Sequence, residues 1–195
     1  MRIIAGTARS LPLKAPEGLD TRPTSDQIKE TLFNMLQYDI PGCYFLDLFA
    51  GSGQMGLESL SRGGEYSVFV DNNRKAAKCI EENIHFTKFD KQARLINSDA
   101  ISALYTLEGK YKFDLIFIDP PYNKELEKDV LSYLSRSSLL KPDTMIIVEA
   151  SVETSFDYVT EMGFEITKYK KYKTNAHVFL KRIQDETTSN LSCQE

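Results

Sequence analysis

From residue 41 onward the chain alternates two hydrophobic rhythms. Short, nearly unbroken apolar runs occupy 44–49, 66–71, 93–97, 113–119 and 144–149. Each has strand length and is rich in β-branched and aromatic residues. Between them, near 54–61, 73–86, 99–107 and 124–135, apolar positions recur at helical spacing, and a further helix is expected at 152–161. Strands that are apolar on both faces and separated by helices predict a parallel sheet covered on both sides. Two last runs, 164–169 and 176–181, lie too close for a crossover and predict an antiparallel hairpin. The expected fold class is therefore α/β, a mostly parallel seven-stranded sheet with a C-terminal antiparallel hairpin.

Ahead of this pattern lies a different kind of sequence. Arg2-Ile3-Ile4-Ala5-Gly6 and Leu11-Pro12-Leu13-Lys14 have the composition of a short hairpin, with Pro16, Gly18 and Pro23 marking turns. Thr24 or Ser25 then opens a helix in which Ile28, Thr31, Leu32, Met35 and Leu36 share a face, and Pro41-Gly42 closes it. One domain is expected over 1–182, its first 40 residues an extension of the catalytic sheet at 41–182. The polar segment 183–195 reads as a disordered tail.

Composition narrows the function classes. At 195 residues, 42% hydrophobic and 27% charged, the chain has the make-up of an ordinary globular domain. No stretch approaches the ~20 apolar residues of a membrane span, so a cytoplasmic protein, without membrane partners and monomeric, is expected. Cys43, Cys79 and Cys193 show no paired spacing, and His85 and His177 have no second ligand at metal spacing, so no metal is expected. The net charge of -4 does not suggest a nucleic-acid partner, but charge is unevenly distributed. Lys168, Lys170, Lys171, Lys173, Lys181 and Arg182 face a single acid, Glu165, within 164–182. Such a local basic strip can bind phosphates on an acidic chain. Lys170, Lys171 and Lys173, together with Arg2, Arg9 and Arg22 of the N-terminal segment, are the candidate RNA contacts.

Asp47-Leu48-Phe49-Ala50-Gly51-Ser52-Gly53 ends the first parallel strand and leads into a helix. Glycines there let the backbone turn sharply and approach a ligand. Gly51, Gly53 and Gly56 also satisfy the dinucleotide fingerprint, but Asp47 would repel a pyrophosphate, whereas it can attract the amino group of a methionine moiety. Asp71, at the end of the second strand, is placed to accept both ribose hydroxyls of an adenosine. Asp99, after the third, is placed to accept from an adenine amine, or simply to cap its helix. These residues point to S-adenosylmethionine as the cofactor.

The fourth strand closes on Asp119-Pro120-Pro121-Tyr122. Strand carboxyl ends face the ligand crevice in such sheets, so this motif and the glycine turn line one site. An exocyclic base amine is a weak nucleophile because its lone pair is delocalised into the ring. Two acceptors on its N–H bonds, the Asp119 carboxylate and the Pro120 carbonyl, would turn that lone pair outward. Tyr122 offers a face on which a flipped base stacks. Asp119, Pro120 and Tyr122 are the candidate catalytic residues.

At these residues the chain resembles the RsmD family, bacterial small-subunit ribosomal RNA guanine-N2 methyltransferases. The resemblance runs from Arg2 to about Arg182. Its carriers are Arg2 to Gly6, Thr21-Arg22-Pro23-Thr24-Ser25-Asp26, Glu30-Thr31-Leu32-Phe33-Asn34, the Asp47–Gly53 turn, Gly56 to Gly63, and Asp119 to Tyr122. It implies a Rossmann-like class I methyltransferase acting on a guanine N2 amine of 16S ribosomal RNA, within a small-subunit particle. It implies that the Asp47–Gly53 turn, Asp71 and Asp99 hold the donor, with Asp119 at the amine. Two features depart from it: the arm carries Glu17 and Asp20 beside its arginines, and Gln54-Met55 follows the glycines. The rivals are a DNA adenine-N6 methyltransferase, which would ordinarily need a recognition domain, a small-molecule methyltransferase, disfavoured by the proline motif and the basic strip, and a non-catalytic ribosome-assembly factor, which has no use for Asp119.

Overall fold

The alternating pattern becomes one seven-stranded sheet in the order β3-β2-β1-β4-β5-β7-β6. The computed structural model describes residues 1–16, 25–121 and 125–184. The strands are β1 (Tyr44–Asp47), β2 (Tyr66–Val70), β3 (Ala93–Ile96), β4 (Phe113–Ile118), β5 (Leu140–Ser151), β6 (Phe164–Lys171) and β7 (Asn175–Arg182). The helices are α1 (Asp26–Met35), α2 (Gln54–Ser61), α3 (Arg74–Thr87), α4 (Ala100–Leu107) and α5 (Leu126–Leu134). β1 pairs in parallel with both β2 and β4, and only β7 runs against its neighbours, β5 and β6. The strand order reverses between β1 and β4, which opens the crevice where the glycine turn and Asp119 meet.

Side-chain alternation divides the core into two layers. Leu46, Val68, Ile116, Ile146 and Val148 pack on α4 and α5 through Leu104, Leu107, Val130 and Leu134. On the opposite face Phe45, Phe117, Ile147 and Phe179 meet Leu32, Phe33 and Leu36, while Phe69 meets Leu57 and Leu60 of α2 and Ile80 of α3. Gly56 permits this last contact, because a Cβ there would lie 2.3 Å from the Phe69 ring.

One expected element is absent. The segment 152–161 is not a helix; a single 3-10 turn, Asp157–Val159, replaces it. β5 continues to Ser151, and Val152 still donates its N–H to the Thr174 carbonyl at 3.4 Å. Ser155 Oγ then accepts the Asp157 N–H at 3.2 Å, a local bond that competes with helical pairing. The expected tail falls largely at 185–195, outside the described residues.

The N-terminal segment forms the expected hairpin, with Ile3 donating to Leu11 at 3.0 Å and Ser10 to Ile3 at 2.9 Å. Ser25 caps α1, its Oγ accepting the Ile28 N–H at 3.3 Å. Both pieces are fastened to α2 by a buried carboxylate that the sequence pattern does not mark. Glu58 accepts the N–H groups of Ile4 and Ala5 at 2.8 and 3.0 Å. Its oxygens also pair with Lys29 at 3.3 Å and Arg62 at 2.8 Å. Lys29, itself fully buried, donates to the Arg2 carbonyl at 2.5 Å. Burial lowers the Lys29 pKa and the Glu58 charge opposes that shift.

Candidate active site

The turn between β1 and α2 is shaped by its own backbone bonds. Ala50 donates to the Val70 carbonyl at 2.9 Å, and Gly53 to the Ala50 carbonyl at 2.7 Å. Gly51 sits at φ 56° with open space where a side chain would stand, a cradle that a Cβ would occupy. Ser52 is buried. Its carbonyl accepts from Asn83 at 2.9 Å and its hydroxyl lies 3.0 Å from Met1 Sδ. Met1 and Lys14, which also bonds Asn83, thereby bring the N-terminal hairpin against the back of the turn.

Asp47 ends β1 fully buried, and neither carboxylate oxygen has a hydrogen-bond partner. Burial pushes its carboxyl up to about 7; the Asp71 charge adds to the rise, while the Gly56 and Phe49 backbone amides oppose it. A buried carboxylate without a partner is costly, and a complementary ligand would relieve that cost. Gln54, the first residue of α2, adds a second buried acceptor without a partner, its Oε1. A cationic ammonium with N–H donors, such as that of a methionine moiety, suits these acceptors.

Asp71 follows β2 and is half-buried. Its two oxygens accept the N–H groups of Gly51 at 2.9 Å and Asn73 at 2.8 Å. Burial raises its pKa and these two bonds oppose the rise. Asp71 therefore ties the turn to β2, and each oxygen keeps a lone pair for a hydroxyl donor. Asp99 is exposed and caps α4, accepting the Ser102 N–H at 2.9 Å, a bond that lowers its pKa. The capping reading accounts for one of its oxygens.

Asp119 follows β4, and Pro120 behind it is buried. Loss of water around Asp119 raises its pKa well above the carboxylate range, and the charges of Glu149 and Asp47 add to the rise. Tyr122 lies outside the described residues. Register explains the neighbours: Asp47 pairs with Phe117, Ile118 pairs with Val148, and Glu149 pairs with His177. Asp119, Glu149 and His177 thus form a row across β4, β5 and β7, on the sheet face that also carries Asp47.

Sequence reasoning passed over the second half of that row. Glu149 Oε1 accepts from Asn175 at 2.6 Å, and its Oε2 lies 3.0 Å from His177 Nε2. His177 is fully buried, packs edge-on against Phe117, and has Nδ1 3.2 Å from the Tyr172 hydroxyl. A signal was available. Glu149 ends the apolar run 144–149, an acid at the end of a strand pattern like Asp47, Asp71 and Asp119, although β5 itself continues to Ser151.

The candidate RNA contacts are dispersed. Arg2 is exposed and paired with Asp26 at 3.0 Å, and Arg9 is exposed; Arg22 lies outside the described residues. The basic run lies on β6, an edge of the sheet, so its side chains alternate between faces. Lys170, opposite His177, shares the face of Asp119, whereas Lys171, opposite Ala176, points to the other. Lys173 is exposed in the turn before β7.

Among the described residues no group of three or more His, Cys, Asp or Glu is arranged to hold a metal, and no helix is long and apolar enough to cross a membrane. Cys43 and Cys79 are buried free thiols.

Comparison with known proteins agrees with this geometry. Residues 1–181 match the family model described as Conserved hypothetical protein 95. Ribosomal RNA small subunit methyltransferase D of Haemophilus influenzae is 39% identical over 173 residues, 87% of this chain and 88% of the relative. The Escherichia coli protein of the same name is 34% identical over 159 residues, 82% and 79% of the two chains. The solved structure of Escherichia coli yhhF superposes with a TM-score of 0.81 at 31% identity, covering 95% of this chain and 99% of that one. With the glycine turn on β1 beside Asp119-Pro120-Pro121 on β4, and with these relatives spanning most of its length, the chain belongs to the RsmD family of methyltransferases.

Proposed function

We propose that this protein transfers a methyl group from S-adenosylmethionine to the exocyclic N2 amine of a guanine in 16S ribosomal RNA, presented in a small-subunit particle in the cytoplasm. The observation that carries the reading is the orphaned carboxylate of Asp47 beside Asp119. This acid-lined crevice, with both carboxyls raised by burial, favours a donor with positive charge. Ribosomal RNA as the acceptor rests on the relatives at 34–39% identity.

Bound S-adenosylmethionine supplies an activated methyl on a sulfonium. Asp47 and the Gln54 amide oxygen would hold its amino group, the open side of Gly51 would leave room for it, and Asp71 would accept from its ribose hydroxyls. Asp119 and the Pro120 carbonyl accept from the target amine and turn its lone pair toward the methyl. Preorganised acceptors of this kind act without reorganisation at the moment of reaction.

The test is transfer of labelled methyl to naked 16S RNA, small-subunit particles, plasmid DNA or no acceptor, followed by nucleoside analysis. N2-methylguanosine from RNA or particles is expected. Label recovered as N6-methyladenine in DNA, or no transfer with intact donor binding, would overturn the reading.

A further inference from the structure

The reaction leaves a proton that the site must absorb. When the amine lone pair bonds to the methyl carbon, the carbon–sulfur pair stays on sulfur as a neutral thioether. The methylated nitrogen then carries a positive charge and one proton in excess. That proton has to leave a crevice partly closed to water.

We propose that Asp119 and Glu149 work as a carboxylate pair that takes up this proton and returns it to water at the part-exposed Asp119 once the methylated base has left, with His177 and Tyr172 fixing Glu149. The proposal rests on the reading of Asp119 as the group that meets the amine. Three observations carry it. First, Asp119 and Glu149 stand one step beyond the Ile118–Val148 pair on adjacent parallel strands. Side chains at such positions share a face, with strands only about 4.8 Å apart. Second, Glu149 is held from behind, by Asn175 at 2.6 Å and His177 at 3.0 Å, so it cannot swing away. Third, His177 is itself held, its Nδ1 lying 3.2 Å from the hydroxyl of the half-buried Tyr172.

Donor and acceptor capacity fixes the direction of these bonds. An ionised Glu149 only accepts, so His177 Nε2 carries the hydrogen between them. In neutral His177, Nδ1 then accepts from Tyr172. Burial, with the Glu149 charge, pushes the Tyr172 phenol up to about 12, which keeps that hydroxyl protonated at neutral pH. The ionisable groups facing the pair are Asp47 from β1, His177 from β7, Tyr172 after β6 and Lys170 on β6. On the helices covering this face, Lys29 and Arg62 are committed to Glu58.

Two carboxyls on one face of adjacent strands repel when both ionise, so the Glu149 charge adds to the rise at Asp119 and the pair titrates as a unit. Removing the Glu149 charge should therefore make Asp119 more acidic. Glu149→Gln is the decisive variant, compared with wild type and Asp119→Asn. In single-turnover methylation of unmodified 16S RNA or particles, the acidic limb of the rate profile should move down by about one pH unit in Glu149→Gln. Carboxyl infrared titration of the free protein should show the raised step moving the same way, independently of activity. A rate lowered equally at every pH, with an unmoved infrared step, means Glu149 is merely structural and overturns the pair. Near-normal turnover in Asp119→Ala instead removes Asp119 from the amine, a failure of the underlying reading that the limb test does not produce. Tyr172→Phe, a change at the half-exposed end, tests the positioning of His177 and Glu149 even if Glu149→Gln folds poorly. Without the Tyr172 hydroxyl the acidic limb should move, by less than in Glu149→Gln; an unmoved limb overturns the positioning role of Tyr172.

Discussion

Glu58 and Asp47 are both fully buried carboxylates on the same side of the sheet, yet they are treated in opposite ways. Glu58 meets two backbone amides, a lysine and an arginine. Its charge is neutralised and its lone pairs are filled. Asp47 meets no cation, and the Phe49 and Gly56 amides act on its charge without giving either oxygen a hydrogen bond. Saturation marks a joint: Glu58 fastens the N-terminal hairpin, α1 and α2 into one unit. Under the proposed function, deficiency belongs to a site, because a group that is costly in the free protein recovers that cost when a complementary ligand arrives.

The contrast is broken most forcefully at the joint. Glu58→Ala leaves Lys29 buried without its counter-charge and should destabilise the fold by about 3–5 kcal/mol in urea unfolding. A loss below about 1 kcal/mol would mean that burial of the charges already offsets their attraction. Asp119→Ala should do the reverse. It should leave stability unchanged or higher while lowering turnover by about 10²-fold, with S-adenosylhomocysteine affinity preserved in calorimetry. Near-normal turnover removes it from the chemistry.

Asp47→Asn sharpens the comparison through pH. The folded-state carboxyl titrates at about 7 against an ordinary value of 3.8. Between these values the folded state binds more protons than the unfolded one, so stability falls as pH rises from about 4 to about 7. Asn removes that loss. The variant should match wild type in slope below pH 4 and be more stable by roughly 2–4 kcal/mol above pH 7, while binding the donor less tightly. Equal pH dependence in both proteins would place a partner on Asp47 that the structure does not show.

The smallest expected effect concerns the edge strand. Because Lys170 shares the Asp119 face and Lys171 does not, Lys170→Glu should flatten the salt dependence of RNA binding by about 0.7 in log–log slope, one phosphate contact. Lys171→Glu should leave it unchanged. Equal slopes in both variants and wild type would leave the lysines their other use, discouraging edge-to-edge pairing.

Much of the molecule was legible in the chain because it is written over short distances. Strand runs, helical faces, the Asp47–Gly53 turn and Asp119-Pro120-Pro121 are each encoded within about a dozen neighbouring residues, and the parallel order follows from their alternation. Even so, the expected helix at 152–161 gave way to a longer β5 and a Ser155 turn, since pairing with β7 outbid local propensity. What only the tertiary structure decided is which polar residues meet. Lys29 and Glu58 lie 29 residues apart, and Glu149 and His177 lie 28 apart. No periodicity within either segment specifies the other. The second pair exists because strand order brings β5 beside β7 and register aligns Glu149 with His177, and the first because α1 folds back to set Lys29 against Glu58 of α2. The same register sets Asp119 beside Glu149 and sends Lys170 and Lys171 to opposite faces, since a shift of one residue turns every side chain of a strand to the other side.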